Sequence, residues 1–273
     1  MKQIINVLVL ITLLIWIAVF SIDNSLHIIA CDVGQGDAIL IQKSTTQILI
    51  DGGPNNKVLD CLGRYMPFWD KQIELVILTH PENDHFGGLI DVFRSYKVLT
   101  FGSNGQVSSS QDYKVLEKEV GRGGTKDLIL NTGYQLRLGM IYLDILNPEG
   151  NSQSSINDNQ TLKTNDLGVV ILLKYAQFKA LFTADVKDEA SDKLSEMGKI
   201  QNVNYLKVNH HGSKNGLSQK LLDIANPNVA IISVGKNSYG HPHEEVLKML
   251  SDKGVKVLRT DETGDINIEI KNK

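Results

Sequence analysis

The chain has 273 residues, of which 42% are hydrophobic, and this is enough to build a sizeable buried core. Its 28 basic and 31 acidic residues leave a net charge of −3, which excludes a strong overall field attracting nucleic acid or an anionic surface. Any binding of a polyanion must therefore depend on a local group of residues.

The first predicted element is an apolar helix at the N-terminus. The segment from Ile4 to Phe20 is almost wholly apolar, and no charged residue lies between Lys2 and Asp23. About 20 such residues can cross the hydrocarbon core as a helix, so residues 1–24 are predicted to be a membrane anchor or an uncleaved signal helix. The positive-inside bias then predicts a single-pass protein with an extracytoplasmic catalytic domain, which would be secreted if the segment is cleaved.

Residues 25–273 are predicted to form one domain of mixed α/β (α+β) class. The runs HIIACDV, AILIQK and QILID indicate an antiparallel meander, after which predicted helices and strands alternate. The second half of the chain repeats this arrangement. Because strands this apolar need cover on both faces, we expect two sheets flanked by helices.

Two cysteines occur, Cys31 and Cys61, and neither lies in a zinc-binding spacing. Two buried apolar thiols are the favoured interpretation. A disulfide bridge stays open as an alternative, because export would permit oxidation.

Six of the seven histidines fall in three close pairs, and each pair follows an apolar strand. The pairs are His80 with His85, His210 with His211, and His241 with His243. Strand ends are the places where a rigid sheet presents side chains into a shared cleft. The sequence therefore predicts one site that is assembled from three distant segments.

The motif LTHPENDHFGG carries His80, Glu82, Asp84 and His85 within six residues. Imidazole and carboxylate groups in a turn after a strand can converge on a divalent cation. A polar turn with incidental histidines is the alternative, and the density of ligand types favours the metal site.

Three aspartates stand at other strand ends or in neighbouring loops. Asp51 in LIDGG and Asp37 in DVGQGDA could be simple turn formers, but Asp51 could also accept the second N–H of a metal-bound imidazole. Asp185 in LFTADV could cap the following helix and also bridge metal ions.

The motif LKVNHHGS places Lys207, His210, His211 and Ser213 together. Adjacent histidines point to different sides, so we expect one to be a ligand and the other to face substrate. The loop SVGKNSYGHPH adds Lys236, Asn237, Tyr239, His241 and His243, whose first three side chains can donate to phosphate oxygens. A loop histidine without a role is the alternative for His241.

The ordered motifs VGQGDA, LIDGG, THPENDHFGG, LFTAD, LKVNHHGS and GHPH resemble the metallo-β-lactamase-like domain of the bacterial DNA-internalisation competence proteins, the ComEC/Rec2 family. The resemblance covers the chain from about His27 to its C-terminus. It implies a four-layer αββα sandwich with a one- or two-metal site at one edge. The ligands that it implies are His80, Glu82, Asp84, His85, Asp185 and His210.

Two departures from the family's HxHxDH pattern matter. Glu82 replaces a histidine, and no histidine occurs between His85 and His210, where Asn165 stands near the expected position. Asn165 is therefore placed beside Asp37 and Asp51 among the residues that would support the ligands. The cofactor expected is Mn²⁺ or Zn²⁺, as one or two ions.

The resemblance implies a metal-dependent phosphodiesterase or nuclease acting on DNA, in DNA uptake. Asp84 would orient or deprotonate the nucleophile, and His211 and His241 would stabilise charge or protonate the leaving oxygen. Lys207 would replace part of a second cation's charge. Ser213, Asn237 and His243 are the remaining candidates for substrate binding. The expected partners are the substrate, the membrane and a separate DNA-uptake channel protein.

Two alternatives compete with the nuclease. One is a hydrolase of another ester or phosphodiester. The other is an inactive, membrane-tethered subunit that binds DNA, which the depleted ligand set would favour.

Overall fold

The computed structural model describes residues 2–20, 23–150 and 164–271. Its first element is helix α1 (Lys2–Phe20). Within the described ranges, no helix combines the length and the apolarity needed to cross a membrane. The predicted single-pass membrane anchor, and the localisation that was inferred from it, are therefore wrong.

The first sheet has seven strands in the order β14-β1-β2-β3-β4-β5-β6. Strands β1, β2, β3 and β14 pair antiparallel, as predicted for the opening meander, whereas β3, β4, β5 and β6 run parallel. The strands are β1 (Leu26–Ala30), β2 (Ile39–Lys43), β3 (Thr46–Ile50), β4 (Gln72–Leu78), β5 (Lys97–Ser103), β6 (Lys126–Ile129) and β14 (Ile266–Ile270).

The second sheet repeats this plan in the order β13-β12-β11-β10-β9-β8-β7. Its first four strands are parallel and the rest antiparallel. The strands are β7 (Gln135–Leu138), β8 (Ile141–Asn147), β9 (Val170–Tyr175), β10 (Phe178–Phe182), β11 (Tyr205–Lys207), β12 (Val229–Ile232) and β13 (Lys256–Arg259).

Helices cover the outer face of each sheet. Their bounds are α2 (Lys57–Tyr65), α3 (Asn83–Phe86), α4 (Leu89–Ser95), α5 (Gln111–Arg122), α6 (Asp188–Glu196), α7 (Gln219–Ala225), α8 (Glu244–Asp252) and α9 (Thr260–Thr263). Helices α2, α4 and α5 pack on the first sheet, and α6, α7 and α8 pack on the second.

Alternation along the strands produces these layers. In β1, Leu26 and Ile28 point into the core between the two sheets, while Ile29 points into the core beneath the helices. Three apolar cores thus separate four layers. The predicted αββα sandwich is confirmed.

Cys31 and Cys61 form a disulfide bond with a Cα–Cα distance of 5.8 Å. The favoured prediction of two free thiols is wrong, and the alternative is correct. The two residues lie far apart in sequence, but α2 packs against the end of β1 and brings them together in one buried core. The bond ties the first sheet to its helical layer.

Candidate metal centre

The candidate site lies where the carboxyl ends of parallel strands from both sheets meet. From the first sheet, β3 leads to Asp51 and β4 leads to His80 and helix α3. From the second sheet, β10 leads to Asp185 and β11 to the histidine pair at 210–211. The chain thus brings together the segment of His80 and His85 and the segment of His210 and His211, and the loop of His241 lies beside them.

Four side chains form what we call the inner cluster: Asp84, His85, Asp185 and His211. Each offers one oxygen or nitrogen atom, and these four atoms all lie within 4.8 Å of one another. Three of the four residues are buried, while Asp84 is partly exposed and faces the opening. The inner cluster has the composition of a divalent-cation site, with two imidazoles and two carboxylates.

The spacing within the inner cluster also fits a bound cation. Asp185 Oδ2 lies 3.4 Å from His85 Nε2 and 3.3 Å from His211 Nε2, and the latter lies 3.4 Å from Asp84 Oδ2. Ligands at about 2.1 Å from a tetrahedral ion are separated by about 3.4 Å from one another. The side chains therefore need little rearrangement to hold an ion.

Hydrogen bonds behind the rings leave their Nε2 atoms available. His85 Nδ1 lies 2.8 Å from Asp51 Oδ2, and His211 Nδ1 lies 2.8 Å from the carbonyl oxygen of Ser233. These oxygens can only accept, so each Nδ1 carries the proton. Nε2 of His85 and of His211 is buried without a hydrogen-bond partner, as is Asp185 Oδ1. Such oriented lone pairs are typical of metal-binding histidines.

His80 is oriented by Thr79, which the sequence analysis missed although it directly precedes His80 in the motif. The Thr79 hydroxyl donates to Asp51 Oδ2 at 2.7 Å, so its oxygen must accept from His80 Nδ1 at 3.0 Å. Nε2 of His80 is consequently a buried, unpaired acceptor. Asp51 thus fixes the ring of His85 directly and that of His80 through Thr79.

We call His80, Glu82 and His210 the outer cluster. His80 Nε2 lies 3.8 Å from Glu82 Oε2, and His210 Nε2 lies 3.8 Å from Asp185 Oδ2. Glu82 and His210 are partly exposed, with 39% and 25% of their side chains accessible. The outer cluster therefore shares Asp185 with the inner cluster but is more open.

The adjacent histidines take different positions from those expected. His211 contacts Asp84 and Asp185, whereas the resemblance implied His210 as the ligand beside them. Both residues have a left-handed backbone, with φ of 47° at His210 and 54° at His211. Such strain in residues other than glycine is found mostly where function requires a particular side-chain direction.

The charges of the inner cluster are strongly coupled. Burial by itself would raise the pKa of the Asp185 carboxyl, but His211 and His85 outweigh burial and hold that pKa well below its usual value. Burial would lower the pKa of His85 and of His211, but Asp185 and a second aspartate beside each ring raise both well above the usual value. Without a cation the rings bind protons tightly, and a divalent cation takes the place of those protons.

Lys207 lies beneath the inner cluster and is 1% exposed. Its Nζ atom is 2.7 Å from Asp37 Oδ2, and Asp37 Oδ1 is 3.4 Å from His211 Nδ1. Burial would raise the pKa of Asp37, but Lys207 and His211 outweigh burial and hold it far below its usual value. Lys207 thus neutralises a carboxylate behind His211, whereas the sequence analysis expected its ammonium to replace part of a second cation's charge.

The loop after β12 brings His241 to the outer side of the site. The rings of His210 and His241 have centroids 5.5 Å apart, and His241 Nδ1 is buried without a hydrogen-bond partner. Burial, together with the nearby rings of His210 and His211, lowers the pKa of His241. His241 therefore adjoins the outer cluster.

The other predicted site residues make local contacts. Ser213 N donates to the carbonyl of His210 at 2.8 Å, and the ring of His243 caps α8 by accepting from Glu245 N at 3.4 Å. Asn165 is buried in a single 3₁₀ turn, where its carbonyl accepts from Gly168 N at 2.9 Å. These contacts support loops and helix ends around the site.

The comparisons with known proteins agree with this architecture. Residues 31–147 match the model of the Metallo-beta-lactamase superfamily. The metallo-β-lactamase fold protein YhfI of Bacillus subtilis matches with a TM-score of 0.61 and 14% identity over 89% of this chain and 99% of that one. A diphosphatase of the PhnP family matches with a TM-score of 0.52 and 13% identity over 90% and 98%. The chain therefore has the metallo-β-lactamase fold.

The chain is also similar to Competence protein ComA of Neisseria gonorrhoeae, which is 23% identical over 89% of this chain and 32% of its own length. ComE operon protein 3 of Bacillus subtilis is 29% identical over 89% of this chain and 33% of its own length. Recombination protein 2 of Haemophilus influenzae is 26% identical over 87% of this chain and 28% of its own length. The chain thus spans about a third of the length of the curated relatives that it matches.

Proposed function

We propose that this chain is a divalent-cation-dependent phosphodiesterase that cleaves DNA. The inner cluster carries the proposal, because its oriented Nε2 atoms and carboxylates converge on one point at the edge of the two sheets. The substrate class rests on the relatives, which are named for competence and recombination. The role in DNA uptake rests on the same names.

The inner cluster would hold the first ion, Mn²⁺ or Zn²⁺, because its four ligand atoms already have suitable spacing. The outer cluster, with Asp185, would hold a second ion more weakly, since its pairs are 3.8 Å apart and partly exposed. A bound divalent cation lowers the pKa of water and polarises a phosphoryl oxygen.

The chain's own residues would handle protons and orientation. Asp84 is the inner-cluster member with a partly exposed side chain, so its carboxylate can accept the proton of an attacking water. The lowered pKa of His241 leaves the ring neutral at pH 7, and a neutral ring still donates one N–H to an oxygen of the substrate. Asp51 keeps the ring of His85 in place, and the carbonyl oxygen of Ser233 keeps that of His211.

We also propose that residues 25–273 form the hydrolase domain as one unit. Both sheets contribute ligands to the inner cluster, so neither half could form the site by itself. Association with a separate DNA-uptake channel protein remains a prediction, and co-purification with such a protein would test it.

The test uses the full chain, stripped with a chelator and reloaded with Mn²⁺ or Zn²⁺. Cleavage of single- and double-stranded DNA is measured beside Asp84→Ala and the control Asp223→Ala, which removes an exposed carboxylate paired with Lys253 on the helical surface. We expect cleavage to require a cation and to fall about 100-fold or more in Asp84→Ala, the range of a lost general base. The control should cleave like the wild type.

Two results would replace the proposal. Intact DNA with every cation, together with retained DNA binding, would indicate an inactive binding subunit. Intact DNA with hydrolysis of a small phosphodiester such as bis(p-nitrophenyl) phosphate would indicate a hydrolase with another substrate.

A further inference from the structure

Tyr239 is an aromatic residue beside the site for which the catalytic proposal gives no role. Its side chain is 74% exposed, although it lies in the loop that also carries His241. Exposing a large aromatic ring to water is unfavourable, and exposed aromatic side chains near a site commonly contact a ligand. The exposure of this ring leaves its face free to contact a ligand.

The ring of Tyr239 continues a row of rings that starts in the inner cluster. Centroid distances are 6.2 Å from His211 to His210, 5.5 Å from His210 to His241, and 5.7 Å from His241 to Tyr239. The planes of His241 and Tyr239 are tilted by 32°. A chain-like substrate held at the inner cluster can thus extend along this row to the exposed ring.

Asn237 fixes the backbone that carries Tyr239. Its side-chain amide donates to the carbonyls of Gly235 and His241, at 2.8 Å each, and its side-chain oxygen accepts from the backbone N–H of Tyr239 at 3.0 Å and of His241 at 3.1 Å. These four bonds account for the role of Asn237, which the sequence analysis assigned to substrate. They fix the backbone from which the exposed ring projects before any ligand arrives, which lowers the entropy lost on binding.

The base of the same loop is pinned against the loop that carries Asp37. A Cβ atom at Gly235 would lie 2.4 Å from the carbonyl carbon of Gly34, so only glycine permits this approach. Gly235 N also donates to the side-chain oxygen of Gln35 at 3.3 Å. The loop that carries Tyr239 is therefore packed against the loop that carries Asp37.

We infer that Tyr239 is a stacking platform for a nucleobase of a single-stranded substrate that is bound at the inner cluster. This inference rests on the proposed function and adds how the substrate is held. An aromatic face accepts any base, which suits binding without sequence preference. Lys236 in the same loop is exposed and can contact the neighbouring backbone phosphate.

The test measures binding and cleavage separately. Fluorescence anisotropy gives the Kd of a labelled single-stranded oligonucleotide for wild type, Tyr239→Ala and Tyr239→Phe, all loaded with Mn²⁺, and steady-state cleavage gives KM and kcat. A second oligonucleotide series carries one abasic site, moved one nucleotide at a time. Tyr142→Ala is the matched control, because it removes a 42% exposed tyrosine from β8.

We expect Tyr239→Ala to raise Kd and KM about tenfold with a smaller change in kcat, the size of one lost base stack. Tyr239→Phe should bind like wild type, because the ring rather than the hydroxyl supplies the contact. At one position of the abasic site, the Kd of the wild type should also rise about tenfold. With that oligonucleotide, Tyr239→Ala should raise Kd by less than about a further twofold.

The outcomes separate the two proposals. If wild type cleaves DNA but Tyr239→Ala keeps its Kd and KM, the platform is disproved and the nuclease stands. If wild type does not cleave but binds, and Tyr239→Ala weakens binding as described, the nuclease fails and the platform stands. Equal weakening by Tyr239→Phe and Tyr239→Ala would overturn stacking in favour of a hydroxyl contact.

Discussion

The inner and outer clusters meet at Asp185 Oδ2, but they differ in burial and in how their side chains are hydrogen-bonded. In the inner cluster, His85 and His211 are almost fully buried, and each donates from Nδ1 to a fixed oxygen. In the outer cluster, Glu82 and His210 are partly exposed, and their closest ligand pairs are 0.4 to 0.5 Å longer than those at His85 and His211. The difference indicates one preorganised cation position and one adaptable position beside it.

This difference also suggests how the departures from the family's pattern are accommodated. Glu82 stands where a histidine is usual, and no histidine occurs between His85 and His210. Both departures affect the outer cluster, whereas the inner cluster keeps a full set of four ligands. The His210 ring lies near Asp185 and so offers a nitrogen on the side where the pattern lacks one.

The sharpest test of the difference between the two clusters is to replace each of the neighbouring histidines, His210 and His211, separately by alanine. We expect His211→Ala to lower the affinity for Mn²⁺ by more than about 100-fold, beyond the 10- to 100-fold typical of residues that only support a ligand. His210→Ala should lower the affinity of the tighter site by less than about tenfold. Isothermal titration calorimetry of the chelator-treated protein measures both.

The two variants are matched controls for each other, because each removes one imidazole from the same turn. Equal losses of Mn²⁺ affinity in the two variants would mean that the inner and outer clusters do not differ in how tightly they hold a cation. A larger loss in His210→Ala would restore the ligand set that the resemblance implied.

The sequence was sufficient to predict the layers and the three segments of the site. Apolar runs such as that of β1 indicate strands that are covered on both faces, and strand ends converge wherever parallel strands lie side by side. For the same reason, His80, Asp84 and His85 could be assigned from a single motif. These properties depend on local pattern and on a simple topological rule.

What could not be predicted depends on backbone direction and on distant packing. The left-handed backbone at His210 and His211 decides which ring turns inward, and no residue-type preference indicates it. The burial of Lys207 depends on Asp37, which lies 170 residues earlier, and the Cys31–Cys61 bond depends on where α2 packs. The anchor prediction relied on composition alone and was wrong.

A second test addresses what supports the inner cluster. Removing the charge of Asp37 leaves the ammonium of Lys207, which is 1% exposed, buried without its counterion. Asp37→Asn should therefore cost about 3 to 5 kcal/mol of folding free energy. The double variant Asp37→Asn/Lys207→Met should recover most of this loss, because neither charge is then buried. Urea unfolding of the chelator-treated proteins measures all three stabilities.

The single variant Lys207→Met tests the catalytic role first expected of Lys207. If the ammonium contacted substrate, Lys207→Met would raise KM while leaving the unfolding midpoint unchanged. We expect the opposite, a loss of stability and of Mn²⁺ affinity with little change in KM, because the Lys207–Asp37 pair lies behind His211.

The smallest effect expected is the pH dependence of stability, and it should reverse sign when a cation is added. In the cation-free protein the pKa values of His85 and His211 are raised above 6.5 by Asp185 and the other nearby carboxylates, against the effect of burial. Their contribution to stability is therefore complete below pH 6.5 and is lost as the pH rises through the raised values. The Asp185 carboxyl, with its lowered pKa, contributes above pH 3.8 and loses that contribution as the pH falls.

The Tm of chelator-treated protein should accordingly be highest in weak acid and fall as the pH rises beyond 6.5. With excess Mn²⁺, which competes with protons for the same Nε2 atoms, the Tm should instead rise over that range. Differential scanning fluorimetry with and without Mn²⁺ measures both slopes. His210→Ala should keep the reversal and His211→Ala should abolish it, whereas a reversal retained in His211→Ala would place the cation outside the inner cluster.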